Sequence, residues 1–280
     1  MRGPIHNGLL GAVVSAVALA AAVPASVAAA AGTPAASTPA AGTAAAGKPA
    51  TKAGSQGTSW SSIAHLPDWS GVWELDWQSG RSPLGSRPSQ NPPKLTPEYA
   101  AKAEKYRAAQ KEGEHQQTET ANCVPPGMPQ IMTQPYPVEF LFTPGKVTVA
   151  IEAYSQMRRI YVDGRPHMED PDPTYQGDSI GHWEGDTLVV DSIGFIPDSY
   201  IAPATNHSDQ MRIEERIRRV GTDDMEIRTT IYDPKALLEP WSVTRFYKRH
   251  TDWDLKEYIC TQNNRDSADP EGRADINLKR

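Results

Sequence analysis

The sequence predicts a mainly β protein, an antiparallel barrel with one peripheral N-terminal helix. Three observations carry that reading. About ten short segments of apolar and β-branched residues are separated by turn residues, no helical segments alternate with them as a parallel βαβ design requires, and the stretch GHWEGDTLVVD at 181–191 reads as a tight hairpin. Closing so many strands into a barrel removes the exposed edges they would otherwise leave.

The chain opens with Arg2 and His6 before an apolar run at 9–23 and then small residues such as Ala25-Ser26-Val27-Ala28-Ala29. This pattern predicts a cleaved secretory signal over residues 1–31, a periplasmic or secreted location, and no stable membrane span after cleavage. Residues 32–62 are mostly Ala, Thr, Pro, Gly, Ser and Lys, too poor in large apolar groups to offset the entropy of ordering, and read as a spacer. The barrel domain is expected over 63–268, a length that suits one substantial core, with a flexible tail at 269–280. All three basic residues of the first 57 are unopposed by acid, so the remainder holds 25 Lys and Arg against 34 Asp and Glu. That balance argues against nonspecific nucleic-acid binding, which depends on neutralising phosphates.

Within the domain, the first strand is expected at 70–76, followed by a loop rich in Pro, Ser and Gly. One helix follows: Thr96 can cap it, Pro97 suits its first turn, Glu98 complements the dipole, and 99–110 is rich in Ala, Lys and Glu. Its apolar stripe is weak, which puts it on the surface. Further strands are expected at 138–143, 147–154, 157–162, 210–220, 225–232, 241–250 and 255–261. In the hairpin, Gly185-Asp186 suits a type II′ turn. The register then sets Glu184 opposite Thr187, Trp183 opposite Leu188, His182 opposite Val189, Gly181 opposite Val190 and Ile180 opposite Asp191. Trp183, Leu188 and Val190 face the core, and His182 lies diagonally beside Asp191 on the other face. Cys123 and Cys260, in an exported chain, predict a disulfide.

Two resemblances follow from these motifs. Pro67-Asp68-Trp69-Ser70-Gly71-Val72-Trp73 resembles the Gly-x-Trp first strand of lipocalins and related calycin barrels. That resemblance implies a Trp closing the barrel floor under an Arg from a late strand, here Arg245 or Arg249. Asp163-Gly164-Arg165-Pro166-His167, the 181–191 stretch, His207-Ser208, Asp233-Pro234-Lys235 and Pro240-Trp241 resemble a family of exported, largely uncharacterised bacterial proteins, over most of 67–266. It implies no established reaction.

The chemistry is read residue by residue. Gly177-Asp178-Ser179-Ile180-Gly181 fits the Gly-x-Ser-x-Gly nucleophile pattern, but that elbow needs a helix after the Ser, and a hairpin follows here. His167, His182 and His207 have Asp170, Asp172, Asp191 and Asp209 near them in sequence or register, yet form no compact ligand set, so no metal is expected. The His182 and Asp191 diagonal is either an acid–base pair or a plain cross-strand ion pair. At 210–220, Glu215 alone interrupts the face carrying Met211, Ile213 and Ile217. It is either a structural acid paired with an inward Arg, Arg159 or Arg245, or a catalytic acid–base group. The loop 195–209 is longer than a hairpin needs and reads as a lid, with His207 at its base as the first choice for a catalytic His. Arg159, Tyr161, Tyr200 and Asp209 are the expected substrate-binding groups.

The resulting expectation is a barrel holding a small apolar or aromatic molecule. It would catalyse cofactor-independent proton transfer, of isomerase, cyclase or lyase type, through His207, Glu215, His182 and Asp191. The alternatives are a non-catalytic small-molecule-binding protein of the periplasm or envelope, and a structural envelope protein. No nucleotide loop, haem motif or redox Cys pair calls for a cofactor.

Overall fold

A computed structural model describes residues 59–79, 81, 91–111, 123–197, 199–260, 267–268 and 274–275. The expected export signal, the spacer up to residue 58 and most of the tail lie outside the described residues.

Nine strands close into a barrel. In chain order the strands are β1 (Val72–Leu75), β2 (Val138–Thr143), β3 (Lys146–Ile151), β4 (Gln156–Tyr161), β5 (Asp178–Glu184), β6 (Thr187–Ile193), β7 (Tyr200–Ala202), β8 (Thr205–Asn206), β9 (Arg212–Arg219), β10 (Asp224–Tyr232) and β11 (Trp241–His250). Around the wall they run β1, β11, β10, β9, β6, β5, β4, β3, β2, while β7 and β8 pair separately. A small two-stranded ladder pairs Ser267 with Asp275 and Ala268 with Ala274. One pair departs from the antiparallel expectation: β4 and β5 run parallel, with Ile160 beside Ser179. The long connection 162–177 returns the chain to the end where β4 began, as a parallel neighbour requires. The wall is therefore mixed.

The hairpin register is as the sequence dictates, pair for pair from Ile180–Asp191 to Glu184–Thr187. Gly185 has φ of 58°, and Asp186 is not among the positive-φ residues, as a type II′ turn requires. Leu188 and Val190 are fully buried, and Trp183 is half-buried against Trp69 and Phe142. The floor follows the lipocalin resemblance: Trp73 is opposite Arg249 in register, its indole donates to the Trp69 carbonyl at 3.0 Å, and the Arg249 guanidinium lies 5.9 Å from its ring. Arg249 also donates to the Ser70 carbonyl and to Asp68. Arg249 thus fills the place for which Arg245 was the other candidate.

The helix α1 (Pro97–Lys111) buries only Tyr99 and Ala103 among its described side chains, consistent with its weak stripe. The Thr96 hydroxyl donates to the Lys235 carbonyl and so ties the helix start to the β10–β11 connection. Residues 255–260 are not a strand, contrary to expectation. Side chains satisfy this segment: Lys256 N–H donates to Glu152, Ser155 donates to the Tyr258 carbonyl, and Tyr258 packs on Tyr136 and Tyr154. The Cys123–Cys260 disulfide holds it, with Cα atoms 5.6 Å apart. Among the described residues no helix is long and apolar enough to cross a membrane.

Candidate functional site

Strand alternation decides which side chains enter the barrel. On β9 it turns Ile213, Glu215 and Ile217 inward, and all three are buried. On β4 it turns Arg158 and Ile160 inward and leaves Arg159 exposed outside. The partner of Glu215 is consequently Arg158, not Arg159 or Arg245. Their charged atoms are 2.5 Å apart, and both side chains are sealed from solvent. Arg158 also donates to Ser192 Oγ at 2.9 Å and to Ser179 Oγ at 3.4 Å, and the two hydroxyls meet at 2.8 Å. Ser179 of the Gly-x-Ser-x-Gly pattern is thus a strand residue inside the barrel that helps satisfy a buried guanidinium. Gly181 next to it serves close packing: a Cβ there would stand 2.9 Å from the Val189 carbonyl and 3.1 Å from Ile160.

A second guanidinium, Arg245 of β11, lies on the inward face between Val243 and Tyr247, in register with Ile227. Among the described residues no carboxylate lies within 4 Å of it. Burial pushes its pKa down, while Tyr247 and the Glu215 charge act in the opposite sense. Tyr247 is fully buried, so its hydroxyl pKa is pushed well up, and that hydroxyl donates to the Met132 carbonyl at 2.5 Å. Thr229 of β10 is buried in register with both Glu215 and Val243. These side chains form a charged layer within an otherwise apolar lumen.

The wall is thin beside this layer. β1 pairs only with Tyr247–His250 of β11, and one further bond runs from Asp76 N–H to the Phe246 carbonyl. Among the described residues, no strand pairs with Trp241–Arg245 on that side. Val243 and Arg245 are accordingly only half-buried, although Trp241 and Tyr247 on the same face are buried.

The expected catalytic His207 is fully buried, in the connection that carries β7 and β8. Its Nδ1 meets the Ser208 carbonyl at 2.7 Å and must carry a proton to do so; its Nε2 meets Ser199 Oγ at 2.7 Å. Ser208 in turn gives its N–H and hydroxyl to Asp233, which also accepts from the N–H groups of Lys235 and Ala236. His207 is therefore part of a sealed cap, not a group hanging from an open lid.

The remaining expected residues do not gather there. His182 pairs with Glu184 at 3.2 Å, and Asp191 takes both donors of Arg212 at 2.7 and 2.9 Å, so the His182–Asp191 diagonal is not a pair. Both lie outside the barrel. Arg159 and Tyr161 share that outer face, where Arg165 stacks on Tyr161. Tyr200 packs on Tyr106, and Asp209 pairs with Lys235 at the surface. The sequence reading passed over Arg158, Ser199, and the His167–Asp178 pair at 2.7 Å. For Arg158 a signal existed: at 157–162 it shares a face with Ile160 and Val162, the more apolar of the two. For Ser199, in a connection without period, there was none.

An outer groove of about 370 Å³ is lined by Glu214, Arg216, Arg228, Tyr232 and Ser242, and a smaller apolar one of about 190 Å³ lies by Leu95, Arg107 and Pro203. Among the described residues no group of three or more His, Cys, Asp or Glu is placed to hold a metal ion. Fold and interior together define a closed, calycin-like β-barrel with a charged layer in its lumen. Comparison with protein-family models, with curated proteins and with solved structures gives no match.

Proposed function

We propose that this chain is an exported small-molecule-binding barrel whose ligand enters the lumen beside the upper half of β11. The observation that supports it is the partial exposure of Val243 and Arg245 between buried neighbours on the inward face of β11. An apolar or aromatic body suits the surroundings, since Trp241 and Tyr247 share that face of β11 and Ile227 is the register partner of Arg245. The test uses the uncharged fluorophore N-phenyl-1-naphthylamine. Saturable enhancement with the wild-type protein, lost in Val243→Trp with the fold retained by circular dichroism, is expected. No enhancement, or enhancement indifferent to Val243→Trp, would overturn the reading.

Turnover by cofactor-independent proton transfer is the second reading, favoured by the anchored tautomer of His207, in which Nε2 accepts the hydrogen bond of the Ser199 hydroxyl. Glu215 is held in its ion pair with Arg158 and has no part in this reading. A search for product after incubation with each ligand found, in wild type and His207→Ala, separates this reading from simple binding.

A further inference from the structure

We propose that the outer groove on β9, β10 and β11 is a second binding site, separate from the lumen, and that it takes a sugar carrying a carboxylate, a uronate. The alternation that turns Glu215 and Thr229 inward turns Glu214, Arg216, Arg228, Thr230 and Tyr232 outward. With Ser242 of β11 these side chains line a groove of about 370 Å³, room enough for a monosaccharide. Its floor is a pair of hydroxyls, since Thr230 and Ser242 face each other in register and meet at 2.8 Å. On the other side of β10, Glu214 stands opposite Thr230 and Arg216 opposite Arg228. Glu214 and Arg228 are thus diagonal neighbours beside the hydroxyl pair.

The charges of this face do not all find partners. Its ion pairs join Arg212 to Asp191, Arg216 to Glu184 and Arg218 to Glu226, and among the described residues none includes Arg228. Glu214 has a single distant contact, with Arg212 at 3.8 Å. Two guanidinium groups directly across a strand pair repel, a cost that an anion on Arg228 offsets. The groove therefore offers one exposed cation, one carboxylate acceptor and two hydroxyls between strand walls. A phosphate dianion is disfavoured because Glu214 lines the same groove. An amino acid carries both its charges on one carbon, whereas the diagonal positions of Arg228 and Glu214 lie about 7–8 Å apart at the backbone. A uronate matches that spread. Its carboxylate fits the two parallel donors of Arg228, and its ring hydroxyls reach Glu214, Thr230 and Ser242.

The test is titration calorimetry with galacturonate and glucuronate, each against its neutral counterpart, galactose and glucose. Wild type is expected to bind at least one acid about tenfold or more tightly than its counterpart. Arg228→Gln is expected to abolish that preference, and Arg218→Gln, outside the groove on the same face, to leave it unchanged. Glu214→Gln is expected to weaken uronate binding, because the ring hydroxyls lose a charged acceptor; a site for anions alone would gain from it. Trigalacturonate bound about tenfold or more tightly than galacturonate assigns the uronate to a glycan, and equal binding assigns it to a free sugar acid. Binding of neither uronate overturns the proposal. So does a preference that survives in Arg228→Gln or is lost equally in Arg218→Gln, or uronate binding that tightens in Glu214→Gln.

Discussion

Arg158→Met is expected to destabilise the barrel by about 3–5 kcal/mol, because it strands the Glu215 carboxylate in the interior. At 2.5 Å the attraction between the two charges is about 6–7 kcal/mol at an effective dielectric of about 20. Several kcal/mol of desolvation for each ion oppose it, so the intact pair sits near balance. Removing one partner leaves the other's penalty without its compensation. Ser179 and Ser192 also lose the donors that satisfy them, although they keep each other at 2.8 Å. The double variant Arg158→Met with Glu215→Met replaces both charges by apolar groups and is expected to recover most of the loss. Urea denaturation of the wild type, Arg158→Met, Glu215→Met and the double variant, with the disulfide intact, gives the coupling energy directly. A cost below about 1 kcal/mol for Arg158→Met, or a double variant no better than the single one, would refute the pairing argument.

The other expectations follow from the same structure. Trp183→Ala removes a half-buried indole packed on Trp69 and Phe142 and should cost about 3 kcal/mol, while His182→Ala at the exposed Glu184 pair should stay within about 0.5 kcal/mol; chemical denaturation orders them. Burial pushes the Asp76 carboxyl up, but hydrogen bonds from Arg81 and Ser79 outweigh this and hold it below its ordinary value of 3.8. Its contribution is therefore present above about pH 4 and is lost as pH falls through the lower folded value, so Asp76→Asn should cost about 1–2 kcal/mol at pH 6, with the gap closing in acid unfolding curves. Cys123→Ser with Cys260→Ser opens a loop spanning 137 residues, and the chain-entropy account gives a loss of about 5 kcal/mol, read by thermal melting beside the reduced wild type. His207→Ala should destabilise by about 2–4 kcal/mol by leaving Ser199 and the Ser208 carbonyl unsatisfied in the cap; a variant as stable as wild type would free His207 from its structural role.

Local rules made much of the wall legible. A two-residue Gly-Asp turn permits one register, and a period of two then assigns every side chain from Ile180 to Asp191 to a face, which is why the hairpin could be read without tertiary information. Strands 138–143 and 241–250 were bounded by turn residues and emerged unchanged. Glu215 was also legible, as the one charge on an apolar face. Its partner was missed because the choice between Arg158 and Arg159 turns on which face of β4 enters the barrel, and there the weaker apolar bias went unused.

What the sequence determined by itself was whatever depends on neighbours along the chain: the strand periods, the turn, the helix start and the face on which each charge lies. The tertiary structure decided which charges meet across strands and which do not. It set Asp191 on Arg212, paired Glu215 with Arg158, sealed His207 within the cap and ran β4 parallel to β5, because each outcome depends on distances between strands whose order around the barrel no local pattern encodes.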